Sequence, residues 1–225
     1  MTPLTWVIAI VAAYLLGSVP FGFLIARMYG KDVRQIGSGN IGATNLARAC
    51  GRKWGYICFG LDVLKGLVPM LIVSKSSIIN HQSSIDFTLW LTVGLAAIMG
   101  HVFPVYLKFK GGKGVSTSFG VGLGLWPYFT PCAVIALLVW VAVVLKWRYI
   151  SLASICGSVV FPAVLVTGIF AIPGWDSATL WPLLIAATLI PVMVIVRHWE
   201  NIKRLLAGTE SKIRSRSDRR GGDQA

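Results

Sequence analysis

Residues 114–145 read GVSTSFGVGLGLWPYFTPCAVIALLVWVAVVL. The stretch carries no charged side chain, so it reads as bilayer material, yet its 32 residues exceed the roughly 20 that one helix needs to cross a hydrocarbon core. Trp126-Pro127 lies near its middle, and proline both lacks an N–H and crowds the preceding turn, so this is a natural break. The stretch splits into a short Gly-rich span, 114–125, and a fuller one, 127–145. Whether it crosses once or twice decides on which side the rest of the chain lies.

Working outward, residues 4–26, 54–73, 87–103, 149–172 and 178–196 are further apolar runs of spanning length. Charge decides the count. If the chain crosses at every run, 19 of the 21 Lys and Arg residues fall in four segments on one face: 27–53, 104–113, 146–148 and the tail from Arg197. Lys75 stands alone on the other face, and Lys65 lies within the second span. A single crossing in 114–145 would scatter the basic segments over both faces. The positive-inside rule therefore predicts an all-α integral membrane protein, a seven-transmembrane helical bundle with the N-terminus outside, the C-terminus cytoplasmic and a short Gly-rich fourth span.

The whole composition agrees. The chain is 56% hydrophobic and 13% charged, about half the charge of a soluble domain. Its net charge of +13 would suggest nucleic acid in a soluble protein. Here it reads as topology and affinity for anionic lipid or phosphate, with no nucleic acid as partner. The length suits a single domain, 1–212, followed by a basic tail, 213–225, too polar to fold. The N-terminus lacks a basic leader, so the first run reads as a span and not a cleaved signal peptide. Cys50, Cys58, Cys132 and Cys156 form no CxxC pair and read as packing residues, without a disulfide or metal site.

Three basic segments are more than connectors. The first contains Gly37-Ser38-Gly39-Asn40-Ile41-Gly42-Ala43-Thr44-Asn45 and then Arg48. Glycines let backbone approach a ligand, and Ser, Thr, Asn and Arg add donors suited to phosphate. Gly37-x-Gly39-x-x-Gly42 with Asp62 twenty residues on matches a dinucleotide fingerprint, but that motif needs a preceding strand, and a membrane helix precedes it here. The second segment, KFKGGKGVST at 108–117, puts three lysines around Gly111-Gly112 and ends on hydroxyls that open a helix, an anion-binding arrangement without Walker A spacing. The third begins Arg197-His198-Trp199-Glu200-Asn201, and one helix through it would place Arg197, Asn201 and Arg204 on a single face. Within the second span, Asp62 and Lys65 are one turn apart, which leaves both a structural ion pair and a substrate contact open.

Taken together, GSVPFG at 17–22, GSGNIGATN at 37–45 with Arg48, DVLKG at 62–66, Gly100-His101, KFKGGKGVST at 108–117 and RHWENIKRLLAGTE at 197–210 resemble the acyl-phosphate:glycerol-3-phosphate acyltransferase family of bacterial plasma membranes, the PlsY family. The resemblance implies acyl transfer from acyl phosphate to the 1-hydroxyl of sn-glycerol 3-phosphate, the first acylation of phospholipid synthesis, and a functional link to the enzyme that makes acyl phosphate. It implies no cofactor and no metal. It makes Ser38 and Arg48 essential, with His198 and Asn201 supporting activity. Gly111, Gly112 and Gly114 would shape the glycerol-3-phosphate pocket, and Glu210 would hold local structure. Gly37, Gly39, Asn40, Thr44, Asn45, His101, Thr117 and Arg204 join the expected substrate-binding set, with Lys113 and Lys65 beside Arg48 as phosphate clamps. Asp62 is expected to be structural.

Acyl phosphate is already activated, so positioning and charge stabilisation suffice for direct attack. His198, His101 or a substrate phosphate could serve as base, and an acyl-Ser38 intermediate ranks second. A pair at His81 and Asp86 matches the His/Asp pattern of other glycerolipid acyltransferases, but the charge count places it on the opposite face. The rival class is a transporter of an anionic solute; it would put polar, Gly-rich segments at mid-membrane, whereas here they cluster at one edge.

Overall fold

The computed structural model describes residues 3–75 and 83–213, so His81 and the tail beyond Ile213 lie outside the described residues. Among the described residues, ten α-helices run in the order α1 (Pro3–Ser18), α2 (Phe21–Met28), α3 (Ala43–Cys50), α4 (Arg52–Lys75), α5 (Ser84–Val102), α6 (Val115–Gly124), α7 (Phe129–Trp147), α8 (Ile150–Ala171), α9 (Ser177–Arg197) and α10 (Trp199–Leu206).

Among the described residues, six stretches are long and apolar enough to cross a membrane: Leu4–Met28, Arg52–Lys75, Ser84–Leu107, Phe129–Trp147, Ile150–Ala171 and Ser177–Arg197. The Trp126-Pro127 break falls between α6 and α7. The ten residues of α6 rise only about 15 Å, half of a hydrocarbon core. This helix is therefore too short to cross facing lipid on its own, and it packs among longer neighbours, chiefly α4. The first run also holds a break that its hydropathy hides. Pro20 separates α1 from α2, and the Val19 carbonyl turned out there accepts a hydrogen bond from Lys65 Nζ at 3.0 Å.

Close helix contacts, not oil-like burial, position the bundle, because lipid is as apolar as any core. Between α4 and α6 the contact is glycine on both sides. A Cβ at Gly66 would come within 2.3 Å of the Thr117 carbonyl oxygen, and one at Gly120 within 2.0 Å of the Val63 carbonyl oxygen. Backbones that near admit no side chain, so α6 is locked in depth against α4. The core above it gathers Met70, Phe87, Trp90, Ile98, Leu125, Phe129 and Leu183, with the Trp90 indole N–H donating to the Met70 carbonyl at 3.1 Å.

The helix directions bring the links 29–42 and 103–114, the α7–α8 junction and residues 198–213 together at one end of the bundle. These are the segments that carry the positive charge.

Candidate active site

A polar chamber of about 140 Å³ opens at that end. Its wall comes from six parts of the chain: the segment from Ser38 to Arg48, Asp62 and Phe59 on α4, His101, residues from Lys113 to Ser116, Trp140 on α7, and the pairing of α8 with the C-terminal segment.

The first motif forms a turn followed by α3. Gly37 has φ +56°, and a Cβ there would meet Asn45 Oδ1 at 2.5 Å, so the position requires glycine twice over. Asn45 ties the turn together. Its Oδ1 accepts from the Ser38 N–H, and its amide donates to the carbonyls of Val33, Ile36 and Asn40 at 2.8–3.0 Å. Asn40 Oδ1 accepts from the Gly42 N–H at 2.8 Å. The outcome is that Gly42, Ala43 and Thr44, the start of α3, face the chamber with Ser38 and Arg48 beside them.

The second motif does the same from the opposite wall. The Gly112 N–H donates to the His101 carbonyl, folding the Gly111-Gly112 turn back on α5. Arg197 braces the turn from behind, its guanidinium donating to the Gly112 carbonyl at 3.0 Å. Gly114, with φ +86°, then starts α6, so that Gly114, Val115 and Ser116 line the chamber. Two helix N-termini thus converge on one space, each offering free N–H groups and the positive end of a helix dipole.

The C-terminal segment closes the third side. The Lys113 ammonium donates to Asn201 Oδ1. Asn201 Nδ2 donates to Glu210 Oε1 at 2.6 Å, Ser151 Oγ to the same oxygen at 2.7 Å, and Arg204 Nε to Oε2 at 2.7 Å. Burial alone would raise the Glu210 carboxyl, but these three donors outweigh it and hold its pKa below the ordinary value. Beyond it, the Arg148 guanidinium donates to the Ile213 carbonyl at 2.7 and 3.0 Å and the Ile213 N–H returns a bond to Arg148.

Burial lowers Lys113 to about 8, partly offset by Glu210 and reinforced by Arg204, Arg197 and Arg48. His198 is buried, and that burial together with Lys113 lowers it to about 4. Its Nδ1 lies 2.8 Å from the Val194 carbonyl, so Nδ1 carries the proton of a neutral ring and Nε2 is the accepting nitrogen.

Of the residues expected from sequence, Ser38, Asn40, Thr44, Asn45, Arg48, Asp62, His101, Lys113, Gly114, His198, Asn201 and Glu210 line the chamber. Others stand behind it. Lys65 is 2% exposed and spends its charge on Asp62 at 2.8 Å and on the Val19 carbonyl, so it is an ion-pair partner and not a clamp. Thr117 is fully buried at the α4–α6 crossing, and its hydroxyl does not reach the chamber. Gly37, Gly39, Gly111 and Gly112 shape turns, and Arg204 belongs to the Glu210 latch. Asn45 touches the chamber, but its donors are committed to the loop. The single helix expected through 197–204 is broken at His198, which sends Arg197 to the Gly111-Gly112 turn and leaves Asn201 and Arg204 to Glu210. Arg148, read only as an orienting charge, pins Ile213. Ser116, one of the hydroxyls that open the fourth apolar run in the sequence, lines the chamber; sequence reasoning missed Ser151, Ser154 and Trp140, and a pair of serines in the first turns of an otherwise apolar helix was the available signal.

Beneath the chamber lies a second, apolar cavity of about 120 Å³ between α6, α7, α8 and α9. Phe59, Val115, Trp140 and Ser154 border both spaces. A polar room lined by Arg48 and Lys113 and set directly on an apolar cavity, in a bundle of membrane-length helices, defines an integral membrane protein with a site that is polar at one end and apolar at the other. The family model described as glycerol-3-phosphate acyltransferase matches residues 7–208, and the chain belongs to that family, as a glycerol-3-phosphate acyltransferase. It is 49% identical over 207 residues to the glycerol-3-phosphate acyltransferase of Trichlorobacter lovleyi, covering 92% of this chain and 96% of that one. With the Aquifex aeolicus enzyme of the same description it shares 42% identity, covering 91% and 97%. Among solved structures, it matches the glycerol 3-phosphate form of PlsY (YgiH), an integral membrane glycerol 3-phosphate acyltransferase, at TM-score 0.81 and 40% identity over 93% of this chain and 96% of that one. The lysophosphatidic acid form matches at TM-score 0.78 with the same identity and coverage.

Proposed function

We propose that the chain moves a fatty acyl group from acyl phosphate to the 1-hydroxyl of sn-glycerol 3-phosphate, releasing 1-acyl-sn-glycerol 3-phosphate and phosphate, as the first acylation of phospholipid synthesis. The observation that carries this is the meeting of two helix N-termini, α3 and α6, with Arg48 and Lys113 in one chamber above an apolar channel. Two phosphate groups need two anion sites, and an acyl chain needs the channel. That a similar enzyme has a glycerol 3-phosphate form and a lysophosphatidic acid form supports the same pair of ligands here.

In this reading the glycerol 1-hydroxyl oxygen attacks the acyl carbonyl carbon. The bond from that carbon to the phosphate oxygen breaks, phosphate leaves, and the hydroxyl proton passes to a phosphate oxygen. His198, near 4, is a weaker base than a phosphate dianion, whose second pKa is about 6. Ser38 and the N–H groups opening α3 and α6 hold charge as it develops on the carbonyl oxygen. The charge count supports seven spans with the short α6 as the fourth, the N-terminus outside, and the chamber facing the cytoplasm of a bacterial plasma membrane.

The test is purified protein in detergent with acyl phosphate and labelled glycerol 3-phosphate, with acyl-CoA and acyl-carrier protein as parallel donors. Lysophosphatidate from acyl phosphate alone is the expected result. Product only from another donor would overturn the donor assignment, and an acylated Ser38 peptide in a quenched reaction would overturn direct transfer.

A further inference from the structure

The apolar cavity has a floor. On α7 it runs from Trp140, shared with the chamber, to Phe129, eleven residues deeper, which is about 16 Å along the helix axis. At the deep end the Phe129 and Phe161 rings meet edge to face, with centroids 5.1 Å apart and planes at 79°. Phe129 is fully buried. Opposite them α6 presents Gly122, where an added Cβ would sit 3.1 Å from the Ala133 methyl and 3.4 Å from Cε2 of Phe161. Three helices therefore close on one another here around a glycine, an alanine and a crossed ring pair.

We propose that this closure sets the length of the acyl chain the enzyme transfers, with Phe161 as the residue that limits it and Gly122 and Ala133 as the residues that keep the last part of the channel open. The inference rests on the acyl-transfer reading above. Each methylene that finds apolar wall improves binding about fourfold. Each one beyond the floor gains nothing and must displace the half-buried Phe161 ring from its packing against the buried Phe129. Preference therefore climbs with chain length and falls once the chain tip meets Phe161. The register is fixed at the other end, because the reacting carbonyl is held between the helix N-termini at the chamber.

Two measurements test this. Saturated acyl phosphates of graded length compete for glycerol 3-phosphate, and the lysophosphatidates formed are resolved by mass spectrometry. Separately, thermal stabilisation of the full chain in detergent is measured with lysophosphatidates of the same lengths, a readout that needs no donor. Phe161→Ala should move both optima longer by at least two methylenes. Gly122→Val should move them shorter and weaken the longest chain about tenfold or more relative to the shortest, and Ala133→Leu should do the same should Gly122→Val fail to accumulate. Failure of transfer with chain-selective stabilisation intact would count against the donor assignment while supporting the floor. Length profiles that coincide for wild type, Phe161→Ala and either filling variant would overturn it, showing that the chain leaves sideways into lipid above Phe161.

Discussion

The Lys113 ammonium is held by the side-chain oxygen of Asn201, and the amide of the same Asn201 is held by Glu210. A cation on α6's entry loop is thus fixed by a carboxylate on the C-terminal segment, through one asparagine. Among the described residues no carboxylate pairs with it directly, which leaves its charge facing the chamber.

Lys113 should control the alkaline limb of the reaction. Its pKa of about 8 means it is cationic below that pH and neutral above it. We expect kcat/KM to fall as pH rises through about 8, since this parameter reports the free enzyme. Lys113→Arg, whose cation does not titrate in this range, should flatten that limb. Lys113→Met should lower kcat/KM by roughly 10- to 100-fold at neutral pH, the worth of a charged hydrogen bond.

Glu210 should matter first for stability. Three donors converge on it, so Glu210→Ala should cost about 3 kcal/mol, seen as a lower thermal midpoint in detergent. Its folded pKa lies below the ordinary 4.5, so this stabilisation is present above 4.5 and lost as pH falls through the depressed value. Wild type and variant should therefore converge in stability at acid pH. Activity should drop as well, because Asn201 loses its anchor.

Gly112→Ala should abolish most turnover. Its Cβ would lie 2.1 Å from Nε2 of the buried His101, which itself lines the chamber, so the turn or the imidazole must move. A loss of 100-fold or more in kcat/KM is expected from misplacement on that scale. Gly60→Ala, a helical position with open space around it, is the control and should leave turnover unchanged.

Lys65→Met should unfold the protein more readily than it slows it. Asp62 and Lys65 are 3% and 2% exposed and 2.8 Å apart, and removing one partner of such a pair costs about 3–5 kcal/mol. The double variant Asp62→Asn with Lys65→Met should recover much of that loss. The folded fraction recovered by size exclusion in detergent checks both; equal yields from the single and double variants would remove the ion pair from the account.

Six membrane-length helices among the described residues were legible because bilayer thickness imposes a length on an apolar run. What was hidden were events of backbone geometry. The break at Pro20 disappears in a hydropathy average, since the residues on either side are equally apolar. The break at His198 follows a proline-containing span and carries no glycine to announce it. For the site, residues with phosphate-like donors in Gly-rich segments were found, but spacing could not separate those that face the chamber from those that build it. Asn45 and Lys65 look like ligand contacts in sequence and are spent on carbonyls and on Asp62. Ser151 and Trp140, by contrast, enter the site only because α8 and α7 fold back on α6, and no local pattern encodes that.

Phe59, Val115, Trp140 and Ser154 form a single threshold between the polar room and the apolar one. A molecule lying across it is already placed as it would be in a lipid leaflet, charged end at the water boundary and hydrocarbon below. The threshold does for one molecule what the headgroup boundary does for a leaflet: it fixes depth, so that a ligand is seated only when the junction of its charged end and its hydrocarbon falls at that level.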